Sequence, residues 1–312
     1  MKKPPGPNAA YEDGSLLGYY RAVNEARREC LVYHLGRRGF CAELTSVALA
    51  MAYAWHHDLQ LVLDSSEFAY RFRDGWSDYF QPFCSDVSEV PADRIRERFR
   101  FEDRRHFQNL RAFAPETFGF GVLRFDDLQP RIGNFTRLMF QLGYESECAV
   151  RRLSERLRLP RDYIAIHVRR GDKVGDEDVS YPVERYFAKL EQLGGLGRST
   201  VFVLSDDSAT VEEVRGHLRS TGHQNRVVSL CLPEHAGFSV KKLQAGKDFA
   251  GSGRTFDTDQ EYREYAREET HRLLAEISIA ARATRFVTTL HSNVGRTIWY
   301  LHRDREQCGQ LS

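Results

Sequence analysis

Short apolar strands alternate with helical segments along the second half of this chain, and this alternation limits its fold more than any other feature. YIAIHV, TVFVLS, RVVSLCL and RFVTTL each have the composition of a buried strand, and helical segments separate them. Such alternation is typical of a parallel α/β sheet. The second half is therefore predicted to be a doubly wound sheet, which binds ligands at the carboxyl ends of its strands. The four predicted strands are Tyr163–Val168, Thr200–Ser205, Arg226–Leu232 and Arg285–Leu290.

The first half repeats the same order once, with strands predicted at Cys30–Gly36 and Leu59–Ser65 and a helix at Phe40–His57 between them. The pattern is poor over Glu67–Leu128, where we expect short helices and long loops, and a further helix is predicted near Asn134–Leu157. A chain of 312 residues exceeds what one core usually serves. We predict a disordered tail over 1–15, an N-terminal α/β domain over 16–158, and a C-terminal Rossmann-like domain over 159–312.

Composition narrows the class of partner. The chain carries 45 basic and 44 acidic residues and a net charge of +1, which argues against a general nucleic-acid or membrane surface. It contains no apolar run of the roughly 18 residues that a membrane helix requires. Two lysines near the start precede no apolar stretch, so no signal peptide is expected. The six cysteines show no Cys-x-x-Cys spacing, which favours a reducing compartment and predicts a cytoplasmic location.

Polar groups follow three of the predicted strands, in His167–Glu177, Ser205–Asp207 and His291–Asn293. Alternate residues of a strand share a face, so the side chains of His167 and Arg169 lie on one face, about 7 Å apart along the strand. A guanidinium is suited to phosphate, and we favour an anion site here. An internal ion-pair cluster remains an alternative, whereas a cell-adhesion Arg-Gly-Asp tripeptide is disfavoured.

Three further polar residues have alternative interpretations. Ser292 precedes a helix and can either cap it or, with the free backbone N–H groups, bind an anion. Asp206 and Asp207 follow a strand and could hold a metal ion, but acidic residues serve equally at a helix start. We favour capping or hydrogen bonding for both aspartates and predict no metal site.

These three segments together resemble the α1,6-fucosyltransferase family, which comprises bacterial nodulation fucosyltransferases and the core fucosyltransferase of animal N-glycans. The family segment His-Val-Arg-Arg-Thr-Asp-Lys-Val-Gly-Thr-Glu is matched by His167–Glu177 except at Gly171 and Asp176. Ser205–Asp207 matches a family Thr-Asp-Asp, and Leu290–Arg296 loosely matches Phe-Ser-Ser-Gln-Val-Cys-Arg. The length suits the compact bacterial members.

The resemblance implies a fold, a reaction and partners. The fold would be the GT-B glycosyltransferase type, with two Rossmann-like domains facing a cleft. The reaction would be inverting, metal-independent transfer of L-fucose from GDP-fucose, without a cofactor, to the 6-hydroxyl of N-acetylglucosamine in an oligosaccharide. Two alternatives remain: a different acceptor, such as a polysaccharide or protein hydroxyl, and a non-catalytic GDP-sugar-binding protein.

The resemblance also implies roles for individual residues. Glu177 would be the general base, with Asp176 or Asp178 as the next candidates, and Arg169 would hold the pyrophosphate. His167 and an acid on the long helix, Glu276, would contact guanine. The remaining donor-binding residues would be Arg170, Asp172, Lys173, Asp207, Ser292 and Asn293. The segment Pro233–Asp259 is predicted to be a mobile loop near the substrates.

Overall fold

The computed structural model describes residues 13–101, 125–170, 181–235 and 258–311. The chain divides into two compact units, one comprising Met1–Arg38 and Ala42–Gly143, the other Gly39–Cys41 and Tyr144–Ser312. The sequence analysis predicts a boundary after residue 158, whereas in the structure the second unit already includes the preceding helix. That helix, Tyr144–Leu157, packs against a long helix of the second unit. Within the described ranges, no helix combines the length and the apolar character needed to cross a bilayer.

The first unit is built on a parallel sheet. Its strands are β1 (Cys30–His34), β2 (Gln60–Asp64), β3 (Ser85–Asp86) and β4 (Ile95–Phe99); its helices are α1 (Asp13–Glu25), α2 (Phe40–His56) and α3 (Phe125–Met139); 3₁₀ turns lie at Gly75–Asp78, Val87–Glu89 and Ala92–Arg94. The described strands are ordered β3-β2-β1-β4. The first four residues of β1 and of β2 are buried, as expected of central strands in a parallel sheet. The chain crosses the sheet in one direction from β1 to β3 and places β4 on the other side of β1, so the switch point borders β1.

The second unit has a larger sheet of the same kind. Its strands are β5 (Tyr163–Val168), β6 (Thr200–Ser205), β7 (Val227–Ser229), β8 (Arg285–Thr289) and β9 (Cys308–Leu311); its helices are α4 (Tyr144–Leu157), α5 (Val183–Gln192), α6 (Ser208–Ser220), α7 (Asp259–Ala280) and α8 (Asn293–Leu301). The described strands run in parallel in the order β7-β6-β5-β8-β9. The switch point therefore lies between β5 and β8.

The predicted α/β class and the doubly wound second sheet are confirmed. The single helix predicted near Asn134–Leu157 is wrong, because α3 ends at Met139 and α4 begins at Tyr144. The backbone between them pairs with another segment instead: Gly143 N–H donates to the carbonyl of Tyr79 at 2.9 Å. This tertiary hydrogen bond replaces the helical hydrogen bond that the sequence pattern predicted at this position.

Three strands escaped prediction. β4, with the sequence IRERF, has three consecutive charged residues and alternates in exposure over its first four positions, and β3 is only two residues long. β9, with the sequence CGQL, buries alternate residues beside β8. At the other end of the chain, α1 begins at Asp13, so the last three residues of the predicted tail are helical, and residues 1–12 lie outside the described ranges.

Candidate functional site

The carboxyl edge of the second sheet brings together the three polar segments that follow its strands. In the register of the sheet, Val168 at the end of β5 lies beside Ser205 at the end of β6. Ile166 of β5 lies beside Val287 of β8. The loops after these strands therefore begin side by side at the switch point, where open α/β sheets bind ligands.

His167 is buried at this edge and is held by the neighbouring strand. Its Nδ1 lies 2.8 Å from Oγ1 of Thr288, and that hydroxyl donates to the carbonyl oxygen of Thr289 at 3.2 Å. A hydroxyl has a single proton, so Oγ1 accepts from Nδ1 and the ring's lone pair is left on Nε2. Burial, together with the charge of Arg169, lowers the pKa of His167 to about 3. The imidazole is therefore neutral at neutral pH and can accept a hydrogen bond through Nε2.

Two arginines follow β5, and both are half-buried. Arg170 is used inside the protein: its Nη1 donates to the carbonyl oxygen of Tyr181 at 2.7 Å, and its Nη2 lies 3.1 Å from a carboxylate oxygen of Glu213. Arg169 is half-buried at the end of the strand. The internal ion-pair interpretation thus describes Arg170, which shapes the site through the protein itself.

Both aspartates after β6 have structural hydrogen bonds. Asp206 Oδ1 accepts from the backbone N–H of Arg170 at 2.9 Å. Asp207 is the N-cap of α6 and accepts from the backbone N–H of Ala209 at 2.9 Å, which confirms the capping interpretation. Among the described residues, no group of three or more His, Cys, Asp or Glu side chains has a metal-binding arrangement.

Glu276 is a buried carboxyl group on α7, 7% exposed. Burial raises the pKa of Glu276 to about 8; the charge of Arg272 opposes the rise, and those of Glu269 and Asp206 add to it. A buried acid that is easily neutralised or ionised near pH 7 is typical of functional sites.

The sequence analysis did not predict a polar cluster of Glu269, Arg272 and His235 beside Glu276. Glu269 is buried, with its Oε2 lying 3.3 Å from Nε2 of His235 and its Oε1 lying 3.3 Å from Nε of Arg272. Arg272 also donates to the carbonyl oxygen of Leu230 at 3.3 Å. These contacts hold the segment after β7 against α7. The i,i+3 spacing of Glu269 and Arg272 was the available signal, and it is equally common on exposed helices.

Ser292 is the N-cap of α8 by backbone conformation, but its side chain makes no capping bond. Of the two interpretations of Ser292, the side-chain cap is therefore not observed. The hydroxyl is buried and has no partner within the described part of the chain. Buried polar groups almost always have partners, so the hydroxyl of Ser292 departs from the usual pattern of a protein interior. Asn293, the first residue of the helix, is half-buried, and its Oδ1 accepts from Nη1 of Arg296 at 3.4 Å.

Gly295 allows α8 to approach the sheet closely. A Cβ at this position would collide with Oγ1 of Thr288 and lie 2.6 Å from the carbonyl oxygen of Thr289. It would also lie 3.3 Å from Nδ1 of His167. The first turn of α8 thus rests directly against the residues that hold the imidazole.

Several predicted site residues lie outside the described ranges. They are Asp172, Lys173 and Glu177, the alternatives Asp176 and Asp178, and residues 236–257 of the predicted mobile loop.

The carboxyl edge of the first sheet carries a pair that the sequence did not single out. His34 and Asp64 end β1 and β2 in register, and Nδ1 of His34 lies 2.7 Å from Oδ2 of Asp64. Burial acts to raise the pKa of Asp64, but hydrogen bonds from Ser66 and His34 outweigh it and hold the pKa below its usual value. The pair could have been noticed because both residues end parallel strands.

Comparison with known proteins places this geometry in context. The chain is 23% identical over 201 residues to an α-(1,6)-fucosyltransferase of Drosophila melanogaster; the match covers 57% of this chain and 32%, about a third, of that protein. The chain is similar to α1,6-fucosyltransferases. Compared with models of protein families, it matches none of them.

Two solved structures share the fold. The NodZ α-1,6-fucosyltransferase soaked with GDP-fucose has 16% identity and a TM-score of 0.52, over 88% of this chain and 92% of that one. POFUT1 in complex with GDP has 11% identity and a TM-score of 0.54, over 91% and 99%. The predicted GT-B fold type and the predicted resemblance to the α1,6-fucosyltransferases are confirmed.

Proposed function

We propose that the chain is an inverting, metal-independent glycosyltransferase that transfers L-fucose from GDP-fucose to a sugar hydroxyl. The observation that carries the proposal is the edge of the second sheet. There a buried neutral imidazole, the guanidinium of Arg169 and the unpartnered hydroxyl of Ser292 all lie at the switch point. This set combines groups for a base and for a diphosphate, as a nucleotide-sugar donor requires.

Guanine is assigned to His167 and Glu276 because both can act as hydrogen-bond acceptors. The Watson–Crick edge of guanine presents N–H donors at N1 and the 2-amino group, whereas adenine presents an acceptor at N1. Nε2 of His167 and an ionised Glu276 would match the guanine donors. The polar cluster of Glu269, Arg272 and His235 would position the helix that carries Glu276.

The diphosphate is assigned to Arg169, to Ser292 and Asn293, and to the N-terminus of α8. A guanidinium can donate two parallel hydrogen bonds to phosphate, and a helix N-terminus adds N–H groups and a favourable dipole. Lys173 would add a further positive charge, while Arg170 and Asp207 would hold the surrounding loops. These groups would stabilise the charge on departing GDP without a metal ion.

The transfer follows from these assignments. A hydroxyl oxygen of the acceptor, assigned as the 6-hydroxyl of N-acetylglucosamine, attacks C1 of fucose from the face opposite GDP. The bond from C1 to the phosphate oxygen breaks, GDP carries away the electron pair, and the configuration at C1 inverts. Glu177 accepts the hydroxyl proton as general base. The first unit would bind the acceptor.

One experiment tests the function and separates the alternatives. GDP release from GDP-fucose is measured with a panel of saccharide, polysaccharide and protein acceptors, with and without EDTA, alongside calorimetric titration of GDP, UDP and ADP. We expect GDP to bind more tightly than UDP or ADP, and turnover to survive EDTA. GDP binding without turnover on any acceptor would favour the non-catalytic alternative, and equal binding of UDP would refute the guanine assignment.

A further inference from the structure

Each of the five described strands of the second sheet is preceded by an arginine, and we propose that these side chains dock the protein on an anionic phospholipid surface. They lie at the amino edge of the sheet, opposite the edge assigned to GDP-fucose. The proposal concerns a separate surface and does not depend on the function proposed above.

The topology places these arginines in one line. Each described helix of the second unit leads directly into a strand, through the connections 158–162, 193–199, 221–226, 281–284 and 302–307. In the parallel order β7-β6-β5-β8-β9, the arginines that precede successive strands form an arginine row of Arg226, Arg198, Arg161, Arg282 and Arg303. Neighbouring strands lie about 4.8 Å apart, so the arginine row is about 20 Å long.

Hydrogen bonds hold neighbouring connections to one another. The guanidinium of Arg226 donates to the carbonyl oxygens of Leu157 and Arg158 at 2.7 and 3.0 Å. Nδ2 of Asn225 donates to the carbonyl oxygen of Ser199 at 2.7 Å. The backbone that carries this part of the arginine row is therefore fixed.

The charge of this edge is concentrated and exposed. The five connections contain seven arginines and three acidic residues, a net charge of +4, whereas the whole chain carries +1. All five side chains of the arginine row are exposed, and within the described ranges none of them forms an ion pair. The charge balance of the whole chain therefore conceals a local basic surface.

The helix macrodipole does not account for the arginine row. Each helix ends at this edge, and a cation in the last turn of a helix is favourable. Arg161 and Arg198, however, lie four and six residues beyond the last residues of α4 and α5. Because the effect of the dipole falls off within one turn, it gives no reason for arginine at these two positions.

The composition of the connections favours a membrane over a nucleic acid. They contain no Phe, Tyr or Trp on which single-stranded bases could stack. None of these five connections, all of which the structure describes, forms a helix or a β-ribbon that could enter the groove of a duplex. Anionic headgroups need no register with individual side chains, and each arginine near such a surface strengthens binding about fivefold.

Docking at the amino edge leaves the donor edge free. β5 has six residues, so the two edges of the sheet are about 20 Å apart. This distance exceeds the Debye length of about 8 Å at physiological salt. Removing charge from the arginine row should therefore leave GDP affinity unchanged.

The arginine row is tested by sedimenting the full chain with vesicles of phosphatidylcholine, either alone or with about 30% phosphatidylglycerol. We expect binding to the anionic vesicles only, and weaker binding as salt is added. The triple variant Arg161→Gln, Arg198→Gln, Arg282→Gln should bind the anionic vesicles about 100-fold more weakly, with calorimetric GDP affinity unchanged.

A matched control removes the same charge from exposed positions outside the arginine row, in the variant Arg21→Gln, Arg28→Gln, Arg263→Gln. It should bind the anionic vesicles nearly as well as the wild type. An equal loss in both variants, or a wild type that ignores anionic vesicles, would overturn the proposal. A wild type that binds a single-stranded oligonucleotide but no vesicle would assign the arginine row to nucleic acid instead.

Arg158, in the same connection as Arg161, provides a variant that separates binding from folding. Its φ of 44° lies in the left-handed region, where arginine is strained and glycine is not. Arg158→Gly should therefore leave the melting temperature unchanged or raise it, while weakening vesicle binding about fivefold. A lower melting temperature with unchanged vesicle binding would indicate a purely structural role and contradict the proposal.

Discussion

Replacing Gly295 with alanine tests how closely α8 must approach the sheet. The new Cβ would lie 2.6 Å from the carbonyl oxygen of Thr289, which belongs to β8 and cannot rotate away. Unstrained non-bonded atoms lie about 3.5 Å apart, so α8 must shift by about 1 Å. Overpacking of this kind costs about 1–3 kcal/mol. At about 2–4 °C per kcal/mol for a unit of this size, the melting temperature should fall by about 2–12 °C.

The same shift moves Ser292 and the helix N-terminus away from the assigned diphosphate position. A misplacement of about 1 Å can cost about 10²-fold in rate, so the transfer rate should fall much further than stability alone explains. Differential scanning fluorimetry and GDP-release assays measure the two effects. Gly216→Ala on α6 is the control, because a Cβ there meets nothing within 4 Å; it should be neutral or stabilising. A Gly295→Ala protein with wild-type melting temperature and rate would refute the close-packing argument.

Four further predictions concern individual groups in the second unit. Arg169→Lys should lower kcat/KM by about 10²-fold, whereas Arg198→Lys at an exposed position should not; steady-state kinetics at low GDP-fucose compares them. Glu177→Gln should lower turnover by about 10²–10⁴-fold with calorimetric GDP affinity unchanged, and a parallel loss of both would identify it as a binding residue. Because the pKa of Glu276 is about 8 and the ionised form accepts from guanine, GDP affinity should rise about ninefold from pH 6 to 7 and about fivefold from pH 7 to 8, and Glu276→Gln should flatten that profile. Thr288→Val should reduce the preference for GDP over IDP, which lacks the 2-amino group, by about 10-fold while Thr288→Ser retains it; equal preferences in competition titrations would contradict the tautomer assigned to His167.

Features with a strong local signal were predictable. β5 and β6 have the predicted bounds because each is a continuous apolar run, and a parallel sheet then brings the ends of its strands to one edge. His167 and Ser292 were found at that edge for the same reason. β4 and β9 were missed because edge strands tolerate charge, glycine and alternating exposure, which resemble loop composition.

Partner choice, in contrast, depends on tertiary placement. Arg169 and Arg170 are adjacent and chemically identical, and the contacts of Arg170 with Glu213 on α6 and with the carbonyl of Tyr181 are set by the tertiary fold. The His34–Asp64 pair joins residues 30 positions apart, and its only signal in the sequence is that each residue lies near the end of a predicted parallel strand. It was likewise not predictable that the hydroxyl of Ser292 makes no capping hydrogen bond. The residue type at an N-cap does not reveal whether its side chain accepts from a backbone N–H of the helix.

The hydrogen bond from the Arg170 side chain to the carbonyl of Tyr181 affects how the interval between these two residues can change during evolution. The backbone of Arg170 leads into residues 171–180, and its side chain bonds the carbonyl of Tyr181, where the described chain resumes. The two ends of that interval are therefore fastened to each other independently of what lies between them. Doubling the length of a segment closed in this way costs only about 0.6 kcal/mol. Insertions and deletions between Arg170 and Tyr181 should therefore cost little folding stability, but they would displace Glu177, the proposed general base, so we expect this interval to vary in evolution by substitution and not by length.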